Sequence, residues 1–463
     1  MNFILHLGLG SFHRAHQAVY LQRLIDLGDT QWAIAGANLR PDATDTLAAL
    51  AAQGGAYTLE TVSPAGEVRY ERIASIREVL PYTPDLAAVV ARGADAATRI
   101  VSFTVTEAGY YLDGADRLDT AAPELAADLE RAARGQAGST IYGAVTALLR
   151  ARREAGAGPL TLLNCDNLRH NGDRFRRGLL EFITRAGQPE LAAWAQSQTT
   201  SPNAMVDRIT PRPPDELRAR VHAATGRDDA APVTAESFIQ WVIEDRFIAG
   251  RPDWARVGVE LVDSVAPYEE AKIRILNASH SCIAWAGSLI GLQFIHEGTH
   301  TPAIRQFAWD YVTHDVMPCL SRPGQPSPVD LPVYRDVVLE RFGNPAIRDT
   351  NQRVAADGFA KIPGFIAPTI RERLAQGQGI DSAAMLPALF LAFLQRWHRG
   401  DLPYAYQDQA MDPAVAQAIC AAADPVAALC AERVLWADLA GQPSLEQAVR
   451  RAAERVGAFV NRC

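Results

Sequence analysis

The first ten residues constrain the fold more than any other stretch. "NFILHL", starting at Asn2, is a short apolar run that stops at Gly8-Leu9-Gly10. An apolar run of that length, ended by glycine, is the pattern of a buried strand. A helical pattern follows, with Ala18, Leu21, Leu24 and Ile25 on one face and Gly28 as its stop. "QWAIAGANL" then has the pattern of a second strand. Strand, glycine turn, helix and strand make a βαβ unit and predict a parallel sheet. Two further strand-like runs, "RIVSFTVTE" (Arg99 to Glu107) and "PLTLLNCDN" (Pro159 to Asn167), end in polar residues. Open α/β sheets bind ligands at the carboxyl ends of their strands, so these polar ends are candidate site residues.

The glycine turn stands where a dinucleotide fingerprint belongs. The first glycine permits the tight turn, the second lets backbone approach a pyrophosphate, and the helix start offers amide protons. The third glycine of that fingerprint would fall at position 13, which is His13. A tight turn with no ligand is the alternative. After the second strand, Asp42 is the candidate to bind the adenosine ribose and favour NAD, while Arg40 suits the 2′-phosphate of NADP.

A chain of 463 residues predicts two or three domains. Near residue 265 strand-like runs give way to helical patterns such as "SAAMLPALFLAFLQRWHRG" and "SLEQAVRRAAERVGAFV". The expected division is an α/β domain over 1–265 and a mainly helical domain over 266–463. A net charge of −8 argues against nucleic acid as a partner. No apolar run reaches the length of a membrane span, and no leader pattern opens the chain. Six scattered cysteines without a Cys-x-x-Cys pair fit a reducing compartment, so the expected location is the cytoplasm.

Two stretches carry candidate chemistry. "HEGTH" (His296 to His300) has the letters of a zinc protease helix. Gly298, Thr299 and the nearby Pro302 break the continuous helix such a site needs, and no further ligand stands out, so no metal is expected. In "EEAKIRILNASH" (Glu269 to His280), which has a helical pattern from Lys272, the side chains of Lys272, Asn277 and His280 share one broad face. A neutral lysine can take a hydroxyl proton while hydride leaves the carbon. An amide can donate to the oxygen as it gains charge, and an imidazole can orient it. The same letters also fit a solvated lysine beside an asparagine and a core histidine.

These stretches, with "GLGSFHRAHQAVY", "TVTEAGYY", "NCDNLRHNG", "NAMVDRITP" and "PYEEAKIRILNASHS", resemble the polyol-specific long-chain dehydrogenases of the mannitol dehydrogenase family over nearly the whole chain. The resemblance implies an N-terminal Rossmann-type, doubly wound α/β domain followed by a helical domain. It also implies metal-independent hydride transfer between NAD and a small polyol or ketose. It makes Lys272 the base, Asn167 and Asn277 the amides on the alkoxide, and Glu269 the link from base to solvent. His280 and Asp207 match groups that hold substrate hydroxyls, and Arg353 and Lys361 match basic residues near the substrate that help keep Lys272 neutral. Gly8, Gly10, Ser11, Phe12, Arg14, Thr106 and Glu107 join Asp42 as expected cofactor residues. The implied reaction is polyol oxidation, D-arabinitol to D-xylulose foremost, with mannitol oxidation to fructose or reduction of fructuronate as sister reactions. A monomer fits the resemblance.

Overall fold

A computed structural model of the chain describes residues 1–41, 44–113 and 117–462, without the side chains of residues 107 and 108. The chain divides into two compact units, Met1–Ser63 with Glu67–Ala266, and Pro267–Cys463 with Pro64–Gly66.

The strands of the first unit, in chain order, are β1 (Asn2–Leu7), β2 (Trp32–Ala37), β3 (Tyr57–Val62), β4 (Val68–Ile73), β5 (Ile76–Val79) and β6 (Thr98–Phe103). They continue with β7 (Leu160–Asn164), β8 (Thr199–Thr200), β9 (Ala204–Asp207), β10 (Val233–Glu236), β11 (Gln240–Glu244) and β12 (Glu260–Val262). The main sheet has the order β5-β2-β1-β6-β7-β8, and every pairing in it is parallel. With β3 and β4 set aside as an inserted hairpin, this is the doubly wound order 3-2-1-4-5-6. Its direction of winding reverses between β1 and β6.

Helices cover both faces because alternate strand residues are apolar on both. Ile4, Ile34, Ile100 and Leu163 join one core with Ala18, Leu21 and Leu24 of the first helices. Leu5, Leu7, Val101, Phe103 and Leu162 join a second core with Leu148, Phe175 and Phe182. Two small sheets, β10-β3-β4 and β12-β11-β9, accompany the main one. The sequence pattern did not announce them: β4 is mostly exposed and β12 partly exposed, β9, β10 and β11 are only four or five residues long, and the buried β3 carries polar residues among its apolar ones.

The helix expected after the glycine turn is two helices, Ser11–Ala15 and Gln17–Asp26. They break at His16 (φ −126°, ψ −87°), whose Nε2 pairs with the Gln240 carbonyl at 2.8 Å and whose ring meets Tyr20 and Trp241 edge-on. A tertiary contact overrides the helical pattern there.

The second unit is helical. Its central helix, Ala278–Leu289, packs against the helices Asn351–Ala355, Met385–Arg399 and Pro302–Asp310. Among the described residues no helix is long and apolar enough to cross a membrane.

Candidate active site

In the first unit the main sheet continues one residue past its strands. The Gly8 amide donates to Ala37, Thr104 to Leu7 and Cys165 to Phe103, at 2.9, 3.0 and 3.0 Å. Gly8, Thr104 and Cys165 therefore stand side by side at the carboxyl edge, at the point where the winding reverses. The two glycines of the turn are there for different reasons. Gly8 has φ +103°, and a Cβ on it would lie 2.2 Å from the Thr104 carbonyl oxygen. The fold itself demands that glycine. Gly10 has φ −90°, and a Cβ there would meet nothing closer than the Gly8 carbonyl at 3.9 Å. Nothing inside the protein needs Gly10 bare, which leaves room for a ligand's phosphates to approach the backbone. Gly8→Ala is thus expected to cost about 2 kcal/mol or more of stability through strain and clash. Gly10→Ala is expected to leave stability within about 1 kcal/mol yet weaken dinucleotide binding about tenfold, or about 1.4 kcal/mol. Thermal unfolding and dinucleotide titration of the two variants check this, and equal stability losses would contradict it.

The position of the missing third glycine has its own solution. The His13 ring lies flat on the His6 ring, with centroids 3.4 Å apart and planes at 15°, so helix and strand still approach closely. Burial lowers His6 to about 3, so the ring is neutral. Its Nε2 lies 3.1 Å from the Gly8 carbonyl and its Nδ1 2.9 Å from the Ser102 hydroxyl. The arrangement selects the tautomer in which Nε2–H donates to Gly8 and Nδ1 accepts from Ser102. The Leu9 amide donates to Asn38 Oδ1 at 2.7 Å, which ties the turn to the end of β2.

Asp166, which the sequence pattern did not single out, joins the loops after β6 and β7. Its buried carboxylate accepts from the amides of Val105 and Thr106 at 3.0–3.1 Å and from the Tyr110 hydroxyl. Burial raises its pKa against these bonds. The bonds hold Thr106 at φ +66°, and Asp166 immediately precedes the exposed Asn167. The signal was an acid placed directly after an apolar strand.

Ser11 and Phe12 are partly exposed at the start of the first helix, and Phe12 stacks on His16. Glu107 opens a short 3-10 turn, Glu107–Tyr110. Asp42 lies outside the described residues. Arg40 is exposed and donates to the Tyr111 hydroxyl at 3.1 Å. Arg14, expected at the cofactor, is held by contacts within the first unit. It is buried, its Nη1 donates to the Ala231 carbonyl at 2.5 Å, and its guanidinium lies 5.3 Å from the centre of the Tyr57 ring. Asp207 is buried at the end of β9, opposite Gln240 of β11.

In the second unit the helix expected from Lys272 is a π turn, Lys272–Asn277, between the α-helices Ala266–Ala271 and Ala278–Leu289. Hydrogen bonds in a π turn link residues five apart, so Lys272 and Asn277, its first and last residues, stand one above the other. Lys272 is 7% exposed, and Glu269, three residues before it, is 6% exposed. From Lys272 to Leu289 every residue is buried except Asn277 and His280, which are partly open.

Around His280 lies a compact polar cluster. Its ring stacks on Phe342 with centroids 4.3 Å apart, and its Nε2 faces Asp349 Oδ2 at 3.4 Å. Burial lowers His280 most; Asp349 opposes this while Arg353, Lys361 and Arg341 add to it, and the ring titrates at about 3. It is a neutral hydrogen-bonding group. Asp349 takes both arms of the Arg353 guanidinium, with Nε to Oδ1 at 2.7 Å and Nη2 to Oδ2 at 2.5 Å. Burial works to raise Asp349, but the Arg353 bonds and the facing His280 outweigh it and hold it below the usual carboxylate range. Lys361 donates from Nζ to the Val354 carbonyl at 2.7 Å, and burial, opposed by Asp357 and reinforced by Arg353, lowers it to about 8.

"HEGTH" lies within a helix of six residues, Ile295–His300. Glu297 is committed to its own helix start, where it accepts from the amides of Gln293 and Phe294 at 2.8 Å each. Among the described residues no group of three His, Cys, Asp or Glu side chains is placed to hold a metal ion.

A doubly wound parallel sheet with a glycine turn at its switch point, followed by a helical unit with a buried lysine, defines an oxidoreductase of the dinucleotide-binding class. The chain belongs to the mannitol dehydrogenase family: it matches the family's Rossmann domain over residues 2–256 and its C-terminal domain over residues 264–457. It is 62% identical over 459 residues to a D-arabinitol 4-dehydrogenase of Ralstonia nicotianae, covering 98% of this chain and 97% of that protein. A D-arabinitol 4-dehydrogenase of Klebsiella pneumoniae is 53% identical, with 99% and 98% covered. Among solved structures, the Pseudomonas fluorescens mannitol 2-dehydrogenase in ternary complex with NAD and D-mannitol superposes with TM-score 0.84 at 34% identity, covering 100% of this chain and 94% of that one. A D-sorbitol dehydrogenase in substrate-free form gives 0.87 at 33% identity, covering 99% and 94%.

Proposed function

We propose that this protein oxidises a secondary alcohol of a polyol with NAD and without a metal, and that its substrate is D-arabinitol, oxidised at C4 to D-xylulose. The observation that carries the reaction is the buried Lys272 stacked over Asn277 on a helix that opens only at Asn277 and His280. A base in this reaction works as the free amine, and a lysine held 7% exposed on that turn is placed to serve as one. The two D-arabinitol 4-dehydrogenases above support the substrate.

Bound NAD supplies the hydride acceptor, and Gly8, Gly10, Ser11, Phe12, Thr106 and Glu107 would hold it at the carboxyl edge of the sheet. Lys272 Nζ takes the hydroxyl proton as the C–H bond breaks and passes it by way of Glu269 to water. Asn167 and Asn277 donate amide hydrogens to the oxygen as it gains charge. His280, neutral across the working range, orients that oxygen. Asp207 binds a further hydroxyl, and Arg353 and Lys361 stand beside the substrate. The chain acts as a monomer in the cytoplasm, which suits its five described thiols, all unpaired.

Formation of reduced NAD with D-arabinitol, D-mannitol and D-sorbitol, in a chelator, tests the proposal. The expected result is the highest kcat/KM with D-arabinitol, undiminished by the chelator, and a ketose product. Preference for mannitol would move the substrate to fructose formation, and loss of turnover in chelator would refute the metal-free reaction.

A further inference from the structure

Two cations, Arg353 and Lys361, stand in the cluster around His280, and the charge of Arg353 is already matched by a carboxylate. The Arg353 fork is spent on Asp349 in the two-armed geometry by which arginine binds a substrate carboxylate. Lys361 is turned to the Val354 carbonyl. The Asp349 side chain is only 9% exposed, whereas that of Arg353 is 67% exposed, so the carboxylate lies beneath and the guanidinium above it. The Ile295 amide donates to the Asp349 carbonyl, and Thr350 caps the Asn351–Ala355 helix that carries Arg353, so the backbone at Asp349 is fixed. Asp349 Oδ2 also lies 3.4 Å from His280 Nε2, a buried nitrogen with no hydrogen-bond partner among the described residues.

We propose that Asp349 is a specificity-determining residue: by holding the Arg353 fork on its own carboxylate it withholds that cation from the substrate, and so favours uncharged polyols and ketoses over keto-sugar acids. This rests on the reading that places Arg353 beside the substrate. An acid entering the pocket meets a neutral ion pair, and must compete with Asp349 for the fork or lie near a carboxylate. A neutral ketose meets hydrogen-bond donors without that repulsion.

D-fructose and D-fructuronate differ only in a terminal CH2OH against a carboxylate, and serve as matched substrates in the reducing direction. The native chain is expected to prefer fructose. Asp349→Asn frees the fork, and is expected to raise the fructuronate-to-fructose ratio of kcat/KM about tenfold or more, chiefly through KM for the acid. The double variant with Arg353→Gln is expected to lose that gain, which a merely structural role for Asp349 does not predict. A ratio that moves by less than about twofold in Asp349→Asn overturns the proposal, provided Arg353→Gln alone alters kinetics. If Arg353→Gln changes no substrate's kcat/KM, the placement of Arg353 fails and the proposal falls with it. Should Asp349→Asn fail to fold, Arg353→Lys breaks the fork while keeping the charge. It is expected to shift the ratio in the same direction, and no shift there overturns the proposal.

Discussion

Replacing Lys272 by alanine is expected to lower kcat for polyol oxidation by about 10²–10⁴-fold, the usual worth of a positioned general base. Dinucleotide affinity is expected to stay within about twofold of the native chain. The reason lies in how the chain is divided. The glycine turn and the strand ends that would bind the dinucleotide belong to the first unit, whereas Lys272 belongs to the second. Lys272 is buried on the π turn that precedes the central helix, so alanine leaves a small cavity there and some loss of stability accompanies the loss of rate. Turnover must therefore be measured well below the unfolding temperature. Lys272→Met keeps most of the volume and separates the two effects: it is expected to recover stability and not turnover. Near-native turnover in either variant would remove Lys272 as the base.

Replacing Asn277 by alanine is expected to lower kcat about 10²–10³-fold, or about 2.7–4 kcal/mol of barrier, the cost of losing one donor to a developing oxyanion. Asn277 is one of two partly open residues on an otherwise buried helix, and it closes the π turn that Lys272 begins. A donor in that place acts on the oxygen as the lysine removes its proton, so its loss falls on kcat more than on KM. A rise in KM with kcat unchanged would show that Asn277 only binds the ground state.

Much of this was visible in the order of residues. "NFILHLGLG" announces a buried strand and a turn because apolar runs stopped by glycine have few other folded solutions, and the sheet does turn there. The polar ends of "RIVSFTVTE" and "PLTLLNCDN" do lie at the carboxyl edge. The π turn was not visible, since one extra residue per turn leaves no mark in composition. A fully buried helix also shows little of the periodicity that reveals a face. The burial of Arg14 was not legible because its partner, the Ala231 carbonyl, lies 217 residues away. Asp166 and Asp349 escaped notice for the same reason: an acid's role depends on which amides or guanidinium the fold brings to it. For Asp349 the four-residue spacing to Arg353 was an available sign.

The pH dependence of kcat/KM, for the native chain and for Lys272→Ala with D-arabinitol and NAD, bears most directly on the buried lysine. A base that works as the free amine gives a rate that climbs with pH through one ionisation and then levels off, and the variant's residual rate is expected to lack that step. The same ionisation persisting undiminished in Lys272→Ala would place the base elsewhere and contradict the mechanism.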